Sequence, residues 1–383
     1  MKLQFYPPDT PAEALNRTKT RAICDDLLRP FAFEDDEKCF YRKGAFKELG
    51  KQGLLASFAP KAFGGSEMPY GCHYAVLEEI SRASLSMTVA VGVNNIVQSG
   101  ILAFGTDEQK KKYLPKLISG EWLGAFSLSE SHSGSDAAAL RTSAKKVSGG
   151  FSVTGTKMWC SNAGDADLFL LMARTGEPGA KGVTSFLVEK GTAGFRVGKL
   201  EKKLGLRGST LAELIFEDCF LGEKQRLGAE GEGFKVALSQ LDAGRVTIGV
   251  GGIGTAIEAL AQFWSHRTRA GHFEQGERDL FSAHFAEIQA ARLLVNEAAR
   301  LRDREERLTI IASQVKMLGS DLAVKVSSDA ITYLGPDGYK KSFGVERLLR
   351  DAKALQIVEG TNQIQRLVLS RELDRMYEAV DTP

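Results

Sequence analysis

The chain has 383 residues, 50 Lys and Arg against 48 Asp and Glu, and a formal net charge of +2 at pH 7. A charge so close to neutral argues against nucleic-acid binding and against recruitment to an anionic membrane, while the length allows a large core divided into two or three subdomains. The five cysteines (Cys24, Cys39, Cys72, Cys160, Cys219) form no C-x-x-C pair and the five histidines are isolated, which points to reduced thiols in a cytoplasmic protein and to no metal site. The opening MKLQFYPPDTPAE lacks a signal-peptide core, and no run reads as long enough to span a bilayer.

Residues 1–121 read as a helical domain. His73–Ser84 and Thr106–Ser119 carry apolar residues at helical spacing, and breaks fall at Pro7-Pro8, at KAFGGSEMPYG and near Gly105. The Lys110–Lys112 cluster lies opposite the apolar face made by Tyr113, Leu114, Leu117 and Ile118, so it reads as a solvated surface. Over residues 122–232 the texture changes to short alternating runs separated by turn residues (FSVTGTKMW, DLFLLMAR, GVTSFLVEK, GFRVGKL, AELIFEDCF), which predict a β domain. Over residues 233–383 the helical period returns, with glycines crowded between Gly244 and Gly254 in a pattern that predicts close helix packing. Helices, a β domain and helices again leave two seams at which a cofactor could sit.

Near the end stands QIVEGTNQIQR, Gln356 to Arg366. Glu359 precedes Gly360 and Thr361, and Thr361 is a plausible N-cap for a last helix carrying Ile364, Leu367 and Val368. A carboxylate on a bend, with glycine beside it to let a substrate approach, suits a general base. The plain alternative is a solvated glutamate favouring the helix dipole.

Three further blocks accompany this one. SLSESHSGSDAAAL, from Ser127 to Leu140, places Ser129, Glu130, Gly134, Ser135 and Asp136 on a Gly/Ser-rich bend able to hydrogen-bond a ligand. GTKMWCSNAG, from Gly155 to Gly164, offers the aromatic plane of Trp159 beside Ser161. SQLDAGR, from Ser239 to Arg245, sets Asp242 and Arg245 three residues apart, which alone would be a helical ion pair.

Together the four blocks resemble the acyl-CoA dehydrogenase family, over about Lys43 to Leu373 and most closely its short- and medium-chain straight-chain members. The resemblance implies an α+β fold with an N-terminal helical domain, a central β-barrel-like domain and a C-terminal four-helix bundle. It implies FAD, held by Phe126, Leu128, Ser129, Ser135, Trp159, Ser161, Thr361 and Gln363, and a thioester substrate met by Ser135, Asp242, Arg245 and Gly360. Glu359 aligns with the catalytic base: it would take the α proton of an acyl-CoA while flavin N5 accepts the β hydride, giving a trans-2-enoyl-CoA. Its backbone N–H and a flavin ribityl hydroxyl would hold the thioester oxygen, and closure over substrate would raise its pKa. A branched-chain subgroup carries its base immediately before the D-x-x-R arginine; this chain has Gly244 there.

The resemblance also implies an electron-transfer flavoprotein as acceptor and a homodimer or homotetramer. Several positions depart from the family pattern: Ser131 for a proline, Val358 for an aromatic before the base, Thr332 and Gly335-Pro336 in a segment usually Q-x-x-G-G. The family's R-x-x-F-G-x-P segment is poorly kept around Arg267, Arg269 and Phe273, so the losses gather on the adenine and pyrophosphate half of FAD. The competing readings are a flavin oxidase or monooxygenase of the same fold, a dehydrogenase of carrier-protein thioesters, and a non-enzymatic scaffold.

Overall fold

The computed structural model describes residues 9–380, so the Pro7-Pro8 break lies outside the described residues. Six helices come first: α1 (Pro11–Leu27), α2 (Ala32–Lys38), α3 (Lys43–Lys51), α4 (Tyr70–Ala83), α5 (Leu85–Phe104) and α6 (Asp107–Ile118). Their starts follow local chemistry. Thr10 and Glu13 form a capping box on α1, and Thr106 with Gln109 form another on α6, each pair satisfying two otherwise orphaned backbone donors.

Eight strands follow: β1 (Gly124–Ser127), β2 (Ser143–Val147), β3 (Gly150–Ser161), β4 (Leu168–Arg174), β5 (Val183–Glu189), β6 (Phe195–Leu200), β7 (Leu211–Gly222) and β8 (Arg226–Leu227). They make one mixed sheet in the order β6-β7-β3-β2-β4-β5-β8, with β1 parallel to β4. The central strand β4, LFLLMAR, is apolar on both faces because both are covered. Leu168, Leu170 and Met172 pack with Val97, Ile101 and Leu114 of the helical layer, while Phe169, Leu171 and Ala173 join Phe151, Phe186 and Phe216 inside the sheet's other core.

The last third holds α7 (Gly233–Ala270), α8 (Gln275–Asp303), α9 (Thr309–Leu334), the short α10 (Pro336–Tyr339), α11 (Val345–Leu355) and α12 (Asn362–Val380). The glycine-rich stretch does what its composition predicts. A Cβ at Gly249 would lie 2.4 Å from the Val315 carbonyl oxygen, and one at Gly252 or Gly319 would lie 2.3 Å from the opposing backbone, so α7 and α9 touch main chain to main chain. A buried ion cluster joins the first and last thirds: Glu78 on α4 accepts from Arg17 at 2.6 Å and from Arg292 at 2.9 Å.

One expectation is corrected. Leu85–Phe104 and Gly233–Ala270 are each long and apolar enough to cross a membrane by length and composition. Both are core helices here, with 72% and 94% of their most apolar windows buried inside the protein. Being packed on nearly all sides, they read as apolar all round.

Candidate active site

The site lies where α5, α7, the end of β3 and the α11–α12 turn converge. An apolar chamber of about 500 Å³, counting its open mouth, is walled by residues such as Leu85, Val89, Ile248, Leu355 and Val358, with Ser161, Gly244 and Glu359 at its polar side. Leu85, Val89, Leu206, Ile248 and Leu355 form a core cluster of their own.

Glu359 is carried on a strained bend. Its φ is 55° and that of Gly360 is 84°, both in the left-handed region that favours glycine. A side chain at Gly360 would also strike the Gln365 amide at 2.8 Å. Thr361 ends the bend as the sequence predicts, its hydroxyl accepting from the Ile364 N–H at 3.3 Å at the start of α12. Of the Glu359 carboxylate, Oε2 is shielded from solvent and has no hydrogen-bond partner. Burial pushes this carboxyl up to about 7, against the opposing pull of Arg245 and Lys316. Burial is the cause the sequence reading names for such a rise. The Glu359 backbone N–H makes no hydrogen bond among the described residues.

Asp242 and Arg245 do form an ion pair, at 2.7 Å, and Thr309 takes the second Asp242 oxygen at 2.9 Å. Arg245 is buried and turns its field on Glu359 as well. Gly244, between them, is what leaves room for the base.

Trp159 and Ser161 come from the end of β3. The β3–β7 register shifts between Lys157 and Cys160, and Trp159 has a φ of 60°. This irregularity turns the indole outward, so that Trp159 is 56% exposed while Ser161 faces the chamber. The Leu128–Asp136 loop is stitched to the same strand. Met158 N–H donates to the Ser129 carbonyl at 2.9 Å, and the Lys157 ammonium, fully buried, reaches the Leu128 carbonyl at 2.9 Å and Glu130 at 2.8 Å. Glu130 also accepts the Arg141 and Thr142 N–H groups at 2.7 and 2.9 Å. The lysine and these donors hold Glu130 down to about 2, while burial draws Lys157 down to about 8.

Of the residues singled out in the sequence, Ser161 and Glu359 line the chamber, Gly360 and Thr361 complete the bend, Arg245 bears on Glu359 by its charge with Asp242 paired to it, and Trp159 stands two residues before Ser161, open to solvent. Phe126 is half-buried and Leu128 buried at the root of the loop; Ser135 is exposed on the loop, and Gln363 is exposed on α12. Lys157, Lys316, Asn362 and Gln365 were missed. Each is a polar side chain within an otherwise core-facing pattern, and that is the one signal the sequence offers for them.

A planar, partly polar ring system fits the reacting half of this site. The open indole of Trp159, the hydroxyl of Ser161 and the bare oxygen of Glu359 are groups that such a ring and a bound substrate would cover. The α7–α8 corner is closed on itself instead. Arg267 binds Glu277 and the Tyr333 carbonyl, and Phe273 packs on Phe263 and Trp264 with Arg278 over its ring at 4.1 Å. Thr332 spends its hydroxyl on the Ser328 carbonyl of its own helix.

Helical layers thus flank a mixed sheet, and a raised carboxylate lies over an apolar chamber. The chain belongs to the acyl-CoA dehydrogenase family: the N-terminal, middle and C-terminal domain models of that family match residues 10–121, 125–219 and 231–373. It is 42% identical to an acyl-CoA dehydrogenase of Bacillus subtilis over 85% of this chain and 88% of that one. It is 36% identical to the mitochondrial short-chain specific acyl-CoA dehydrogenase of Homo sapiens, over 94% of this chain and 89% of the relative. Among solved structures, butyryl-CoA dehydrogenase from Megasphaera elsdenii superposes with a TM-score of 0.91 at 31% identity, covering 97% of this chain and 100% of that one. The family implies FAD as cofactor and an acyl-CoA as substrate.

Proposed function

We propose that this chain dehydrogenates an acyl-CoA across its α and β carbons, with Glu359 as the base that takes the α proton. The carrying observation is the Glu359 carboxyl itself, held up to about 7 with one oxygen unpartnered over an apolar chamber. A carboxylate of ordinary acidity is a poor base toward a thioester α-hydrogen, and one raised to near neutrality combines basicity with a useful ionised fraction.

The acyl chain lies in the chamber walled by Leu85, Val89 and Ile248, which excludes water from the reacting carbons. The free Glu359 N–H is available to the thioester oxygen, where negative charge develops as the α proton leaves. Trp159, Ser161, Phe126, Leu128, Ser129, Ser135, Thr361 and Gln363 are the residues that would hold FAD. When bound, FAD supplies the two-electron acceptor for the β hydrogen. Asp242, Arg245, Ser135 and Gly360 are assigned to the substrate side. An electron-transfer flavoprotein as acceptor, a homodimer or homotetramer, and a cytoplasmic location complete the reading.

Anaerobic titration of the yellow protein with a panel of acyl-CoA and acyl-carrier thioesters tests it. Saturated acyl-CoA should bleach the flavin, and Glu359→Gln should keep its flavin yet bleach at least a hundredfold more slowly. Unchanged bleaching by that variant would overturn the base assignment. Bleaching only by carrier-protein thioesters would replace the substrate, and rapid reoxidation by air with peroxide formed would make the enzyme an oxidase.

A further inference from the structure

Beneath the Glu359 bend lies a polar cluster, buried at Lys316, Ser320 and Asn362 and opening to the surface at Asp321, that the thioester chemistry does not itself use. Lys316, on α9, is fully buried, and its ammonium donates to Asn362 Oδ1 at 2.7 Å. Asn362 Nδ2 reaches Ser320 Oγ at 3.0 Å and Asp321 Oδ1 at 2.7 Å. Asp321 also accepts from Gln356 Nε2 at 2.6 Å, and the Asn362 N–H closes the bend onto the Gln356 carbonyl at 3.1 Å. From within α12, Gln365 Nε2 takes the carbonyls of Glu359 at 3.2 Å and Gly360 at 2.8 Å. The residues on both sides of the bend are therefore tied down: Gln356 and Asn362 to α9, and the bend's own carbonyls to α12.

A buried ammonium is costly, and an apolar side chain of similar size would pack the position with no such cost. Lys316 nonetheless stands there, within the field of the base carboxylate. We propose that Lys316 and Asn362 are positioning residues for Glu359: together they latch the base-bearing bend to α9, with Lys316 as its charged anchor. This rests on the reading of Glu359 as base. The charged groups that bear on the carboxylate are few. Arg245 comes from α7, paired with Asp242; Lys316 comes from α9, with Asp321 on the same latch; the chamber residues of α5 and β3 are uncharged. Without Lys316 the carboxylate keeps only Arg245 to offset its burial, so its ionised form should persist only at higher pH.

The test is the pH dependence of single-turnover flavin reduction in the holoenzyme, with α-hydrogen exchange of the thioester in deuterated water, flavin content and Tm measured beside it. Lys316→Met should move the acid midpoint of both reduction and exchange upward by about one pH unit. Lys316→Arg, which keeps the charge, should restore the wild-type midpoint. Asn362→Asp, which sets a competing carboxylate on the same ammonium, should shift the midpoint upward too. Coincident profiles for Lys316→Met and wild type, or equal shifts in the Met and Arg variants, would overturn the proposal and leave Lys316 a packing residue. If Lys316→Met does not fold, an unshifted Asn362→Asp profile overturns it equally. A Glu359→Gln variant that still exchanges and reduces at wild-type rates would sink the base reading instead, whatever the latch variants do.

Discussion

The carboxylate of Glu359 rests on the bare α-carbon of Gly244. A methyl group there would lie 3.0 Å from the carboxylate carbon and 3.0 Å from Oε2. Among the glycines of α7, Gly244 is thus the one that shapes the seat of the base on the α11–α12 bend.

Gly244→Ala should therefore displace the base rather than unfold the helix, where alanine is the better former. Flavin reduction by acyl-CoA should fall about tenfold to a hundredfold, the scale of an ångström-sized misplacement. Flavin content and the helical circular dichroism should stay at wild-type values.

The raised carboxyl makes a paired prediction for rate and stability. Below about 7 the rate of flavin reduction under kcat/KM conditions should fall tenfold per pH unit, as Glu359 takes up its proton. In the unfolded chain the same group ionises near 4.5, so the folded state binds the proton more tightly. Its stabilising contribution is whole below 4.5 and lost as pH rises through about 7. Glu359→Gln should accordingly be more stable than wild type at neutral pH and above, by about 1–3 kcal/mol after solvent screening, while losing turnover. Chemical denaturation at acid and neutral pH checks the sign.

Lys157→Met should cost about 3–5 kcal/mol, because it strands a buried carboxylate, Glu130, with its two backbone donors and the His132 ring at 3.7 Å. The loop carrying Ser129 and Ser135 should loosen with it, read as weaker flavin retention on dilution. Glu130 itself stabilises the fold at neutral pH, and that contribution should be lost as pH falls from 4.5 through about 2.

Arg267→Ala and Trp159→Ala should separate two roles. Arg267 serves Glu277 and the Tyr333 carbonyl, so its loss should lower Tm and leave flavin affinity where it was. Trp159 is open to solvent on its bulge, so its loss should weaken flavin retention with little change in Tm. Fluorescence titration of apoprotein with FAD distinguishes them.

The contiguous parts of this architecture were legible in the sequence. The E-G-T bend announces itself through Glu359, Gly360 and the Thr361 cap, and the strands β3 to β7 show as short runs between turn residues, β4 and β5 apolar on both faces. The glycines of α7 forecast its close packing on α9. What stayed hidden depends on distance along the chain. Lys316 lies more than forty residues before Glu359 and reads as one more helical lysine; only its place on the small-residue stripe Ala312, Gly319, Ala323 hints at burial. The two-residue strand β8 and the four-residue β1 are too short to show a period. The unbroken length of α7 was missed as well, because the glycines from Gly244 to Gly254 interrupt its apolar pattern without ending the helix.

The backbone contact between α7 and α9 has a reach beyond packing. Arg245 lies one turn before Gly249, and Lys316 directly follows Val315, the residue whose carbonyl Gly249 abuts. The two cations that bear on Glu359 are therefore mounted on either side of a joint at which Gly249 meets the Val315 carbonyl and Cγ1. The roots of both side chains are thus spaced by one helix contact, and a substitution that pushed α7 off α9 would move the two cations of the base apart as well as loosen the core.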